Sequence, residues 1–324
     1  MRLCPRTLVM SALRHVGADG VLLFGATCAL VLVIARLGGR LEVAGASLVA
    51  PTQTFVPVIL FCAWLRRRDG AIRALARSLR DWSPFFVLYV LYRNLRAATG
   101  FLGGRSVERT LLALDQHLFG LEPSAWIQKF ASPVLSDYMA FAYALMFLMP
   151  FLVMCLLYAR GRRHDFREVG NALLLCTYAG FLLYIAFPAR SPRWAFPEIY
   201  GGVTLHGAVG VYEATTRAWD HVELMLYDAF PSLHTAVSTL SLAYAWRMGP
   251  ILWPRRPRMV ALLLAPFVVS LQISTLYLRQ HYFIDLPAGW ALAWLCLLIA
   301  PALRRGFGAL LLRVRPRTPA PQAA

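Results

Sequence analysis

Eight long apolar stretches, near residues 21–37, 41–65, 84–101, 134–158, 169–187, 230–247, 258–277 and 284–302, constrain this chain more than any other feature. A helix rises about 1.5 Å per residue, so roughly 20 residues cross the ~30 Å of hydrocarbon in a bilayer. Most of the stretches meet that length. The segment 41–65 carries Pro51 and Pro57, and 84–101 carries Arg93 and Arg96. Hydrophobic residues make up 59% of the chain and charged residues only 15%, against about a quarter charged in soluble domains. The expectation is an all-α, polytopic integral membrane protein with about eight transmembrane helices.

The net charge of +17 invites comparison with nucleic-acid binders, but its distribution excludes that reading. With eight spans, 22 of the 33 Lys and Arg residues fall on one side, including Arg66-Arg67-Arg68 and Arg160-Gly161-Arg162-Arg163; the other side holds 9. By the positive-inside rule the basic side is cytoplasmic, with both termini there. Its loops set orientation and meet anionic headgroups. No interleaved aromatic residues of the kind that stack on single strands accompany them, so no nucleic-acid partner is expected.

Cys4, Cys28, Cys62, Cys155, Cys176 and Cys296 fall in apolar segments or near the N-terminus, and no CxxC spacing occurs. Neither a disulfide nor a cysteine metal site is expected. The start, Met1-Arg2 through Arg14 and into 21–37, reads as an uncleaved first helix. The chain divides into N-terminal helices with a basic loop (1–83), a main membrane domain (84–302) and a disordered basic tail (303–324). A single lysine among abundant Arg, Ala and Leu suggests a GC-rich bacterial genome, and so a plasma-membrane location.

Two outer connections stand out. In 102–133, Leu111, Leu112, Leu114 and Leu118 pattern as an amphipathic helix in the interface. In 188–229, Trp194, Phe196, Tyr200 and Trp219 suit a loop at headgroup level. The short connection from Arg279 to Asp285 is the third. Topology alone therefore brings Arg190, Arg193, His234, His281 and Asp285 to one outer face.

Their chemistry is that of phosphoryl transfer. His281 and Asp285 share a face at i,i+4 if that stretch is helical. The carboxylate then holds one imidazole nitrogen and leaves the other as a nucleophile. An ordinary His–Asp pair capping a helix is the plainer alternative, although ionisable pairs are costly at membrane depth. Pro287 suits a helix beginning near Leu286. Pro231 suits the first helical position of the sixth stretch, where free N–H groups and the Ser232 hydroxyl would hold phosphate oxygens. His234, within a turn of them, is placed as a general acid.

Arg190 and Arg193 supply charge for the equatorial oxygens of a phosphoryl group, or else anchor headgroups. Arg96 is a further substrate-binding candidate; Arg93 beside it snorkels equally well. Arg279 carries less weight, and His117, His206 and His221 lack defensible partners. A metal site of His234, His281 and Asp285 is a competing chemistry, but no HExxH or DDxxD-like run accompanies it, so neither metal nor cofactor is expected.

These residues also carry a resemblance. Pro231-Ser232-x-His234 and His281-x-x-x-Asp285 resemble the second and third motifs of the type 2 phosphatidic acid phosphatase superfamily. The run Tyr277-Leu278-Arg279-Gln280-His281-Tyr282-Phe283-Ile284-Asp285-Leu286 is similar to its inositol phosphorylceramide synthase-like branch. So are Tyr92, Arg96, Asp115, Phe119-Gly120, Pro123 and Trp126, and the likeness covers roughly residues 84–302. Thr275 stands where the superfamily's phosphatases usually carry an Arg, and Pro188-Ala189-Arg190-Ser191-Pro192-Arg193 replaces their first motif.

The resemblance implies a helical core of that family's type. It implies attack by His281 on a lipid-linked phosphate, with Asp285 orienting it and His234 as acid and then base. Arg190 and Arg193 would neutralise the phosphate, without a metal. The partners implied are the bilayer, a lipid phosphate, and either water or a lipid or polyol alcohol as acceptor. A transporter, or a lipid-binding relative without catalysis, is the alternative of a different class; the paired repeats of many transporters are not visible here.

Overall fold

The computed structural model describes residues 25, 27–32, 36, 46–99, 105–222 and 227–313. It is all-α, with no strand among the described residues. In chain order the main helices are α1 (Ala46–Leu65), α2 (Ala71–Thr99), α3 (Glu108–Phe119), α4 (Pro133–Ala159) and α5 (Arg163–Ala186). They continue as α6 (Val211–Val222), α7 (Leu233–Arg247), α8 (Met259–Tyr277) and α9 (Asp285–Arg313). Short helical turns join them at Pro123–Trp126, Ile127–Phe130, Pro192–Ala195, Pro197–Tyr200 and Gly249–Leu252.

Among the described residues, α4, α5, α8 and Asp285–Leu303 of α9 are each long and apolar enough to cross a membrane. The protein is an integral membrane protein, although these helices do not establish the expected eight spans. Most of the first expected span, 21–37, lies outside the described residues.

Three boundaries differ from the sequence reading. The basic segment after Arg68 is not a loop as far as residue 83, because α2 begins at Ala71 and carries Pro84 inside it. Ala, Leu and Arg, all strong helix formers, dominate its first turns. The tail is helical through Arg313, where Ala, Leu and Arg again favour helix; residues 314–324 lie outside the described residues. The sixth expected span yields a helix of only 15 residues, α7. Pro231 is not its first residue. Ser232 is the N-cap, its hydroxyl accepting from Thr235 N at 3.2 Å.

At about 22 Å, α7 is shorter than the hydrocarbon core. It is tolerated because it faces protein rather than lipid. It packs against α4, α5, α8 and α9, and Ala236, Leu240 and Tyr244 are completely buried. Its small residues (Thr235, Ala236, Ser238, Ser241) let the neighbours approach closely, the packing habit of membrane helices.

Gly289 on α9 faces the start of α7, where an added Cβ would meet the Ser232 carbonyl oxygen at 2.5 Å and Thr235 Cβ at 2.9 Å. Gly289→Ala is therefore expected to push α9 from α7, at about 1–3 kcal/mol. A lowered melting temperature with turnover reduced at least about tenfold is the expected reading; unchanged values for both would show that the contact is slack.

Candidate active site

The N-termini of α4, α7 and α9 and the C-termini of α5 and α8 meet at one end of the bundle. The α8 terminus is closed by the Thr275 carbonyl, which accepts from Gln280 N (2.9 Å) and His281 N (3.2 Å). Arg279 takes φ 61°, rare for a non-glycine residue. Its guanidinium is tied down by Gln128 Oε1 (2.8 and 3.2 Å) and the Val203 carbonyl (2.6 Å), and lies over the Tyr200 ring. Burial lowers its pKa. Arg279 is thus built into the scaffold, and its own carbonyl accepts from Arg193 N at 3.1 Å.

His281 and Asp285 do meet, though not on a helical face. Residues 281–284 form a turn, and α9 begins at Asp285 itself. The Asp285 carboxylate closes that turn through Oδ2, accepting from Tyr282 N at 2.9 Å and His281 Nδ1 at 3.1 Å. His281 Nδ1 also lies 2.8 Å from the Ala229 carbonyl. A carbonyl only accepts, so Nδ1 must carry the proton. In the neutral ring Nε2 is then a bare lone pair, and it points at His234 Nδ1, 3.3 Å away.

His234 sits on the first turn of α7. Its ring stacks on Tyr143 of α4 (centroids 4.2 Å apart), with the edge of Trp219 from α6 at 6.3 Å. α6 is held there by Asp137, which accepts from Ala208 N, Val209 N and Tyr212 N at 2.7–2.8 Å. Ser232 N donates to the Asp285 carbonyl at 3.1 Å, so backbone directly joins the two histidine motifs. The Ser232 hydroxyl accepts the capping bond and keeps its own proton to donate. Among the described residues, His234 Nε2 and Asp285 Oδ1 are buried without a hydrogen-bond partner.

The arginines separate. Arg193 shares a small open cleft with Tyr143, Trp219 and Gln280, immediately beside the His234 platform. Arg190 is engaged by Glu108 of α3, whose Oε1 accepts from both its backbone N and its Nε at 3.1 Å. Burial alone would raise the Glu108 pKa, but hydrogen bonds from Ser106 and Arg190 outweigh it and hold the carboxyl below its ordinary value. Arg96 is on α2, with its side chain outside the described residues. His117 and His206 are exposed, and the His221 side chain lies outside the described residues.

Several supporting groups escaped the sequence reading. Asp115 accepts from Phe283 N (2.6 Å) and Ile284 N (3.0 Å), fastening α3 over the turn that carries His281. Burial raises its pKa, opposed by these two bonds. Asp228, just before Ala229, accepts from Tyr92 Oη at 3.2 Å, and burial raises its pKa against the charges of His281 and Arg193. Glu122, capping the turn at Pro123, is pushed up to about 7 by burial and by Asp115. An isolated acid within a turn of a motif was the available signal for Asp228; Asp115 offered none beyond the family likeness.

Asp115→Ala removes two hydrogen bonds to a charged acceptor. About 3 kcal/mol of stability should be lost, with turnover falling as the His281 turn loosens. Thermal melting and initial rates check this, and a variant of wild-type stability and rate would refute the fastening role.

The family model of the PAP2 superfamily matches residues 109–299, more than half the chain and every candidate residue except Arg96. The chain belongs to the PAP2 superfamily. This PAP2 protein is also similar to inositol phosphorylceramide synthases of fungi. It is 25% identical to that of Candida albicans over 74% of this chain and 46% of the relative. It is 27% identical to the catalytic subunit from Saccharomyces cerevisiae over 45% of this chain and 37% of the relative. For the Schizosaccharomyces pombe catalytic subunit the identity is 25%, over 60% and 47% respectively. The PAP2 protein thus spans less than half the length of each of these relatives. No solved structure matches it.

Proposed function

We propose that this PAP2 protein transfers a phosphate-bearing headgroup from a phospholipid through a phosphohistidine on His281, at the extracytoplasmic end of the bundle. The observation that carries this reading is the fixed His281 ring. Nδ1–H is held by Asp285 and the Ala229 carbonyl, while bare Nε2 faces His234.

In the first step the Nε2 lone pair forms a bond to phosphorus. The bond from phosphorus to the leaving lipid oxygen breaks, and that oxygen takes the His234 Nδ1 proton. Asp285 stabilises the cationic ring through Nδ1. In the second step His234 Nδ1 takes the proton of the acceptor hydroxyl as its oxygen attacks phosphorus and the P–Nε2 bond breaks. A phosphoryl group between the two rings needs more room than 3.3 Å, so the substrate displaces His234 along the face of Tyr143.

Arg193, in the cleft beside that platform, and Arg190 would supply charge to the equatorial oxygens, with Ser232 and Arg96 as further phosphate-binding residues. The scheme requires no metal. The lipid tail enters sideways from the bilayer into the catalytic unit, taken as residues 84–302. The names of the fungal relatives favour a lipid alcohol over water as acceptor. The test is turnover by the purified protein, with chelator, of labelled phosphatidylinositol, phosphatidate and polyprenyl phosphate, each with and without ceramide. A new phospholipid formed only with acceptor supports transfer, release of free phosphate (or of inositol phosphate from phosphatidylinositol) supports hydrolysis, and turnover abolished by chelator overturns the metal-free scheme.

A further inference from the structure

Asp228 is a carboxylate at the candidate site to which the two-step scheme gives no part. It lies one residue before Ala229, whose carbonyl accepts the His281 Nδ1 proton at 2.8 Å. This stretch of backbone is fixed from a second direction. Ala229 N donates to the Ala189 carbonyl at 3.0 Å, and the Phe230 ring meets Phe187 edge to face. The Tyr92 hydroxyl of α2 donates to Asp228 Oδ2 at 3.2 Å, and the Tyr92 ring stacks on Phe181 of α5. The carboxylate is thus held between α2 and the loop that presents the Ala229 carbonyl.

The other acids at this end of the bundle fasten the scaffold. Asp115 accepts from the backbone of the His281 turn, Glu108 from Arg190, and Asp137 from the start of α6. Asp285 closes the turn and binds Nδ1. Asp228 is placed differently, because the charges that act on it are those of His281 and, more weakly, Arg193.

A negative charge there acts in opposite senses on binding and on chemistry. It repels an incoming phosphate, so it does not help the substrate to bind. Once Nε2 has bonded to phosphorus, with Nδ1 still protonated, the imidazole is a cation and the carboxylate attracts it. Among buried groups that attraction is stronger than at an exposed surface. An interaction of this kind, made only as the reaction proceeds, raises the rate without tightening binding.

We infer that Asp228 is a positioning residue of the transfer reaction, a second carboxylate that stabilises the His281 cation beside Asp285 as the phosphohistidine forms. The inference rests on the phosphohistidine reading. The plainer role for Asp228 is to anchor α2 through Tyr92, and two substitutions separate the roles. Asp228→Asn keeps the acceptor oxygen and removes the charge. Tyr92→Phe removes the hydroxyl and keeps both the charge and the ring stack.

The test mixes the full-length protein in detergent with excess phosphatidylinositol or phosphatidate carrying radiolabelled phosphate, and quenches at intervals to follow label on the protein. The first-order rate of labelling does not depend on how much of a variant is folded. In Asp228→Asn the maximal rate should fall at least about tenfold, the size of a neighbouring-charge effect of about one pKa unit. The half-saturating lipid concentration should not rise. Tyr92→Phe should stay within about threefold of wild type in both quantities. Labelling of Asp228→Asn at the wild-type rate, a raised half-saturating concentration with the rate unchanged, or an equal loss in Tyr92→Phe would overturn the role of the charge. Wild type that retains no label from either lipid would overturn the phosphohistidine and this inference with it. Label on the wild type alongside any of the three contrary results overturns the inference alone.

Discussion

His281→Ala is expected to lower turnover of the lipid phosphate by about 10⁴-fold or more, the scale on which enzymes lose a covalent nucleophile. The loss follows from geometry, because the variant has no group at the point to which Nε2 is aimed. With substrate carrying labelled phosphate, the quenched wild-type protein should retain label that is stable in alkali and released by acid, as a phosphoramidate is. The variant should retain none. Because the substitution leaves Asp285 Oδ2 with the Tyr282 N–H, the fold should survive, and circular dichroism with thermal melting checks that the loss is chemical. Turnover within tenfold of wild type would sink the phosphohistidine.

His234→Ala is expected to cost about 10²–10⁴-fold, the usual contribution of a positioned acid and base, with a dependence that His281→Ala cannot show. Replacing the alkoxide leaving group by a nitrophenolate removes the need for protonation in the first step. With that substrate the variant should recover most of its first step and accumulate labelled protein, since the second step still lacks its base. Recovery of both steps, or of neither, would assign His234 a structural role against Tyr143 and Trp219.

The histidine motifs were legible because they join unusual residues to ordinary chain signals. Ser232 with Pro231 marks a helix start, and the helix does start close by, at Leu233, two residues later than a proline at the first helical position implies. The i,i+4 spacing of His281 and Asp285 pointed to the right contact through the wrong element, since a turn rather than a helix brings them together. Apolar length misled at both ends of the main domain, because the helices run on into more polar sequence: α2 begins at Ala71, ahead of the stretch 84–101, and α9 continues past residue 302 to Arg313. Arg190 and Arg193 look equivalent in sequence. The tertiary structure distinguishes them, setting Glu108 against Arg190 and placing Arg193 in the cleft beside Tyr143 and Trp219.

The sequence by itself determined the class of protein and the chemical groups on hand, because apolar length and residue type are local properties. A run of about 20 apolar residues has little choice but to cross the bilayer as a helix. Which nitrogen of His281 is free was decided by the Ala229 carbonyl, 52 residues away in the chain. The turn presenting it is fastened by Asp115, 168 residues from Phe283. Such partners depend on how α3, α7 and α9 pack around one another. A hydrogen bond between distant segments carries no periodicity or spacing that a linear chain could display.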